Sequence, residues 1–201
     1  MSGKINDLND ALPKIKSADR NEAEKILKDF GFDKRKNEKN EPLEEDAQAA
    51  FVRDVIVNKF DGFTFIATEF VLFGFGGKNG GEKRPDVFVL REGILYDVEL
   101  KNKRKGPSEK AGMGYSAITQ AQEYVAHMKE PDNYDKYIRC LAAFPNGTSG
   151  EIKDIRGVAL VPATASGGSS GTLEAAAKAA GVELWTFDKD KDYKIEKIIC
   201  A

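Results

Sequence analysis

The segment RPDVFVLREGILYDVELKNK constrains the chain most. It holds two runs rich in β-branched and aromatic residues, separated by the short turn Arg91-Glu92-Gly93. The pattern predicts two consecutive antiparallel strands. Alternate side chains of a strand share a face, so Asp97, Glu99 and Lys101 point one way and Tyr96, Val98 and Leu100 the other. One face is apolar and belongs to a core, while the other gathers charge. Asp86 opens the first strand, where pairing across a short turn brings its carboxylate beside those of the second.

The flanking sequence places this pair in a larger sheet. Ala23, Ile26, Leu27 and Phe30 recur at helical spacing before Gly31, and the polar run DKRKNEKNEP follows. Residues 1–40 are therefore expected to form a helical arm and linker, and 41–201 the main domain. A second helix is predicted from after Pro42 to about Phe60 on the spacing of Ala47, Ala50, Phe51, Val55 and Ile56. Phe63–Phe73 looks like a strand breaking at the glycine-rich GFGGKNGG, which is expected to be a flexible hairpin and lacks the order of a nucleotide-cradling loop. Downstream, Tyr115–Met128 has a helical pattern, and Tyr137–Phe144 and Ile155–Val161 resemble short strands. The Gly/Ser-rich stretch before Thr172 resembles a linker, Thr172–Ala180 a helix stopped at Gly181, and Val182–Phe187 a strand. Helix, three strands, helix, two strands, helix and strand predict an α/β fold with a central mixed β-sheet flanked by helices.

Carboxylates crowded on one strand face repel one another unless a cation lies between them. Mg²⁺ suits such a group because it prefers hard oxygen ligands, takes one or two carboxylates and completes its octahedron with water and phosphate oxygens. A phosphodiester supplies those oxygens. Lys101 could then orient an attacking water or neutralise phosphate charge, and the Leu100 carbonyl could be a further ligand. Asp97 is expected to be a neighbour of this group rather than a ligand.

The step Pro85-Asp86 followed by Glu99-Leu100-Lys101 resembles the PD-(D/E)XK nuclease superfamily, over roughly Pro42 to Phe144. The resemblance implies a restriction-endonuclease-like core, Asp86 and Glu99 as metal ligands, Lys101 as the catalytic lysine, and Mg²⁺ as cofactor with Mn²⁺ able to substitute. It also implies a metal-proximal acid on the first core helix. Glu44 and Glu45 both qualify, with Glu45 preferred because Ala49, Val52 and Ile56 continue its face into an apolar stripe. Gln120-Ala-Gln-Glu-Tyr124 matches the Q-x-x-x-Y pattern of RecB-like and lambda-exonuclease-like members. At i and i+4 its glutamine and tyrosine share one helix face, and in such enzymes they position metal, water or nucleic acid. DNA is favoured over RNA on this resemblance. A restriction or defence endonuclease, a RecB-like exonuclease and a structure-specific resolvase all fit. A noncatalytic nucleic-acid-binding module of the same fold and a tRNA-cleaving nuclease toxin are the alternatives.

Composition narrows the chemistry. His127 is the only histidine of the 201 residues, so a histidine-rich zinc site has no ligands, and the work falls to carboxylates and lysine. His127 itself looks like a partly exposed helix residue, and Trp185 and the aromatics of Phe63–Phe75 look like core. The net charge of −2 excludes a uniformly basic coat, yet Lys103, Arg104 and Lys105 follow the catalytic strand directly, as phosphate-backbone contacts would. No disulfide-like spacing joins Cys140 and Cys200, which fits a reducing cytoplasmic setting. No stretch has the roughly 20 apolar residues of a membrane span. Partnership with a second copy as a homodimer stays open.

Overall fold

The computed structural model describes residues 11–12, 14–15, 18, 20–30, 44–58, 60–76, 82–102, 107–144, 152–163, 170–188 and 193–200. A mixed sheet of six strands runs through them, in the order β1 (Thr64–Thr68), β2 (Val87–Arg91), β3 (Ile94–Leu100), β4 (Asp154–Pro162), β5 (Val182–Asp188) and β6 (Lys194–Ile199). The first three strands pair antiparallel, β3, β4 and β5 run parallel, and β6 returns antiparallel on β5. Each parallel step needs a crossover. The β3–β4 crossover is made by α3 (Pro107–Met128) and α4 (Pro131–Ala142), and the β4–β5 crossover by α5 (Ser170–Ala180).

Helices cover both faces. On one, α1 (Arg20–Asp29) and α2 (Glu44–Val57) bury Ala23, Leu27, Phe51, Val52 and Val55 against Val87, Tyr96, Val98, Leu100 and Trp185. Phe51 and Phe63 pack on Trp185, with ring centroids 6.2 and 5.1 Å away, so the expected aromatic core is present. Ala11, Leu12 and Ile15 lie in the same cluster, so these parts of the arm join the core. On the other face Tyr124 and Met128 of α3 and Tyr137 and Leu141 of α4 cover Ile66, Phe88, Leu90 and Leu95, while α5 covers Val161 and Leu184.

Several local expectations need correction. Tyr137–Phe144 is not a strand: Tyr137, Ile138 and Leu141 belong to α4, whose Pro131 occupies the first turn. Proline suits that position because its missing N–H would have no partner there. Together with Tyr134 these residues form an i, i+3, i+4, i+7 stripe, so a run rich in strand formers is set by its period. β1 ends at Thr68 rather than Phe73, because Glu69 takes φ 51 and breaks the strand. α3 begins at Pro107, about two turns before Tyr115, and β6 is a strand that the sequence pattern does not announce.

Beyond Glu69 the chain forms a loose ribbon. The Leu72 N–H donates to the Lys83 carbonyl at 2.9 Å, and Gly76 bridges Glu82 antiparallel, as a hairpin requires; its tip lies outside the described residues. His127 holds the ribbon down. It is 8% exposed rather than partly solvated, its Nε2–H donates to the Phe73 carbonyl at 2.9 Å, and Phe75 stacks on its ring at 4.4 Å. Its Nδ1 faces the Asn133 amide at 3.4 Å and the Glu130 carboxylate at 3.5 Å.

Candidate active site

The register of the sheet brings the candidate residues together. Val87 pairs with Val98, so Asp86 lies opposite Glu99 just past the paired ends of β2 and β3. The Asp86 N–H points to Glu99 Oε1 at 3.3 Å, and Asp86 Oδ2 accepts the Leu100 N–H at 2.7 Å. The Lys101 ammonium lies 3.8 Å from Asp86 Oδ2 and donates to the Leu100 carbonyl at 2.9 Å. Asp86 and Lys101 keep 20% and 19% of their side-chain surface exposed, whereas Glu99 is 1% exposed. The group is thus a half-open corner with one wet side and one dry side.

Close approach of α3 makes the dry side. Asp97 pairs with Gly157 of β4 and Glu99 with Ala159. A Cβ on Gly157 would stand 3.1 Å from both the Cβ and the carbonyl oxygen of Ala121, so only glycine lets the helix backbone settle this near the sheet. Asp97 and Glu99 are therefore enclosed rather than displayed on a solvated face. Both carboxyls are pushed well above the ordinary carboxylate range. Burial is the first cause for each; the next is the charge of Glu99 for Asp97, and that of Asp86 for Glu99. Asp97 is fully buried, and neither of its carboxylate oxygens has a hydrogen-bond partner.

Gln120 and Tyr124 of α3 cover the same corner. Their side chains are in hydrogen-bonding contact, and the Tyr124 hydroxyl is held protonated, first by burial and then by the charge of Glu99. Gln120 Oε1 is buried without a partner. Tyr124 is 2% exposed, its ring packed edge-on to Phe75 at 5.9 Å with Lys83 Nζ 5.9 Å from its centroid. Its ring has no free face for stacking on a base, so what it offers the site is its hydroxyl.

Two participants carry no sequence signature. Gln48 of α2 donates to the Asp86 carbonyl at 2.8 Å and reaches Glu69 Oε1 at 3.4 Å. Glu69 donates its N–H to the same Asp86 carbonyl at 3.3 Å. The signal for Glu69 would have been an acid closing a β-branched run. No spacing rule links Gln48 to Asp86, 38 positions later. The Glu45 and Glu44 side chains, and Lys103, Arg104 and Lys105, lie outside the described residues.

The donor set suits a hard divalent cation. It offers carboxylates on Asp86 and Glu99, the latter raised first by burial and then by the charge of Asp86, together with the Leu100 carbonyl. Among the described residues no group of three or more His, Cys, Asp or Glu is already gathered as a metal cage, so water or substrate oxygens would complete the coordination. No protein-family model, characterised protein or solved structure matches the chain. No helix among the described residues is long and apolar enough to cross a membrane.

Proposed function

We propose that the chain is a divalent-metal-dependent nuclease of restriction-endonuclease-like fold that hydrolyses phosphodiester bonds, with DNA favoured over RNA as substrate. One observation carries the reading: Asp86, Glu99 and Lys101, chosen on sequence pattern alone, meet within hydrogen-bonding and ion-pairing distance at one end of β2 and β3. The α3 helix, bearing Gln120 and Tyr124, sits over them.

Asp86 and Glu99 are the residues that would hold Mg²⁺ or Mn²⁺, with the Leu100 carbonyl beside them. When bound, the cation supplies Lewis acidity toward a phosphate oxygen and lowers the pKa of a water. The protein does the rest. Lys101, on the wet side, places a positive charge where a phosphate oxygen gains negative charge, and its ammonium can orient the attacking water. Asp86 fixes the Leu100 main chain through its N–H, which holds the strand end that carries both Glu99 and Lys101. Gln120 supports the Tyr124 hydroxyl, which stays protonated beside the charge of Glu99 and Asp86.

The deciding experiment incubates the purified chain with supercoiled, linear and branched DNA and with tRNA, each with Mg²⁺, Mn²⁺ or excess EDTA. Cleavage of DNA that needs the cation is expected. Full activity in EDTA would remove the metal site from the chemistry. Binding without cleavage of any substrate would leave a noncatalytic nucleic-acid module as the better reading, and cleavage of tRNA alone would make it a ribonuclease.

A further inference from the structure

Lys83 stands at the edge of the proposed site without a role in it. The β1–β2 hairpin continues past its paired strands: the Glu69 N–H donates to the Asp86 carbonyl at 3.3 Å, the Leu72 N–H donates to the Lys83 carbonyl at 2.9 Å, and Gly76 bridges Glu82. The main chain of Lys83 is thus pinned shortly before Asp86, with Pro85 buried between them. From there its side chain reaches α3, where Nζ lies 5.9 Å from the centroid of the Tyr124 ring, within range of a cation–π contact. The Tyr124 hydroxyl in turn bonds Gln120 and lies under the charge of Glu99. Lys83, Tyr124 and Glu99 therefore follow one another from the ribbon into the corner.

The charge of this lysine sets it apart from its neighbours. Lys101 is engaged by Asp86 and by the Leu100 carbonyl, and Arg84 by Glu82. Lys83 has no acid as ion-pair partner among the described residues, Asp86 and Glu99 included, so it lies outside the donor set of the cation. A lysine with no acid to hold it ordinarily extends its ammonium into water. This one is half-buried and turned over an aromatic ring, which keeps a positive charge at the rim of a site built of carboxylates. A nucleic-acid backbone is negative at every phosphate, and lysines that hold phosphates fix the position of the strand without reading its bases. With a net charge of −2, the protein must do that with local cations.

We infer that Lys83 is a substrate-binding residue, which holds a backbone phosphate next to the one at the cation and so sets where the strand enters the corner. This rests on the nuclease reading of Asp86, Glu99 and Lys101. The two lysines divide the work: Lys101, beside Asp86, acts on the phosphate that reacts, and Lys83, over the Tyr124 ring, acts on its neighbour. The ring is the support from which the ammonium is presented.

The test is single-turnover cleavage of duplex DNA in Mg²⁺ by the full chain, in whichever of its supercoiled, linear and branched forms the parent cuts. Varying enzyme and salt concentration yields the maximal rate and the half-saturating concentration separately. Lys83→Gln should raise the half-saturating concentration by about tenfold and reduce its log–log salt slope by about 0.9, the share of one B-DNA phosphate, while the maximal rate changes by less than about twofold. Lys83→Arg keeps the charge and should restore the slope. Lys129, which pairs with Asp154 at 2.7 Å near the end of β3 remote from Glu99, supplies the control. Lys129→Gln removes the same unit of charge and should keep the parental slope; an equal loss of slope in both variants would overturn the inference. A parental slope and half-saturating concentration in Lys83→Gln would also overturn it and leave the nuclease reading standing. So would a lowered maximal rate at parental slope, which would make Lys83 a support for Tyr124 alone. If the parent cleaves no DNA in Mg²⁺, the nuclease reading falls and the role of Lys83 with it.

Discussion

Asp97 and Glu99 are held where ionisation is unfavourable, and this fixes how the metal-free protein responds to pH. Their folded pKa values are raised, by burial first and by neighbouring carboxylates next, while in the unfolded chain both titrate near the ordinary value of about 4. Above that value the unfolded chain has released its protons and the folded protein still holds them. Stability associated with these groups is therefore fully present below the unfolded pKa and is lost as pH rises toward the folded one. In EDTA the Tm should fall from mildly acidic to neutral and alkaline pH, and Asp97→Asn, which removes one of the two titrations, should flatten that fall. A Tm profile unchanged by Asp97→Asn would show that Asp97 ionises in the fold as readily as out of it. Legibility at this scale was uneven. The alternation in YDVELK was enough to place Asp97 and Glu99 on one face, yet it held no sign that α3 would close over them, because a strand pattern does not reveal what covers its polar face.

The height of α3 above the sheet is set by small residues. Ala117 and Ala121 of the helix and Ala159 of the sheet are buried in one cluster, with Gly157 directly under Ala121. Gly157→Ala would press a methyl against helix backbone, which cannot rotate away as a side chain would. We expect a destabilisation of about 1–3 kcal/mol. Displacement of Gln120 and Tyr124 should lower turnover further than the stability loss explains, measured as single-turnover cleavage at a temperature where the variant stays folded. Equal cleavage by variant and parent would mean that the position of α3 does not matter to the site. Segments with one strong local period were legible from sequence, among them β2, β3, β4, β5 and most of α3 and α5. The pair α4 and β6 was not. In α4, tyrosines, isoleucine and leucine have strand propensity, and only the i, i+3, i+4, i+7 spacing from Tyr134 to Leu141 marks the run as a helix. β6 depends on antiparallel pairing with β5, and its KIEKII pattern alternates no more clearly than a charged tail would.

Across the whole molecule the net charge is −2, so attraction of a polyanion must come from local basic groups. If Lys103, Arg104 and Lys105 touch phosphates, neutralising them should weaken binding evenly across sequences and reduce the log–log salt slope by about 0.9 for each B-DNA phosphate they cease to neutralise. An unchanged slope would make that run a solvated loop. Cation binding has a second whole-molecule consequence, since a site assembled from β2 and β3 exists only in the folded chain. At a cation concentration about 100-fold above Kd, folding gains about 2.7 kcal/mol, which in a chain of this size raises Tm by about 5–10 °C. The members of the site should divide under this measurement according to charge. Asp86→Asn and Glu99→Gln each remove ligand charge, so both should lose the Mg²⁺-dependent rise in Tm together with cleavage. Lys101→Met removes a positive charge that the cation does not need. It should keep the full rise, or increase it, while single-turnover cleavage falls by about 10² or more, the loss expected when a group that stabilises developing charge is removed. Gln120→Ala should keep the rise and lose less activity than any of these, because an uncharged side chain positions groups without binding the cation's charge. Thermal unfolding in EDTA and in Mg²⁺, run beside cleavage for each folded variant, separates the cases. Parental cleavage by Lys101→Met would overturn the assignment, as would retention of both the Tm rise and turnover by Glu99→Gln.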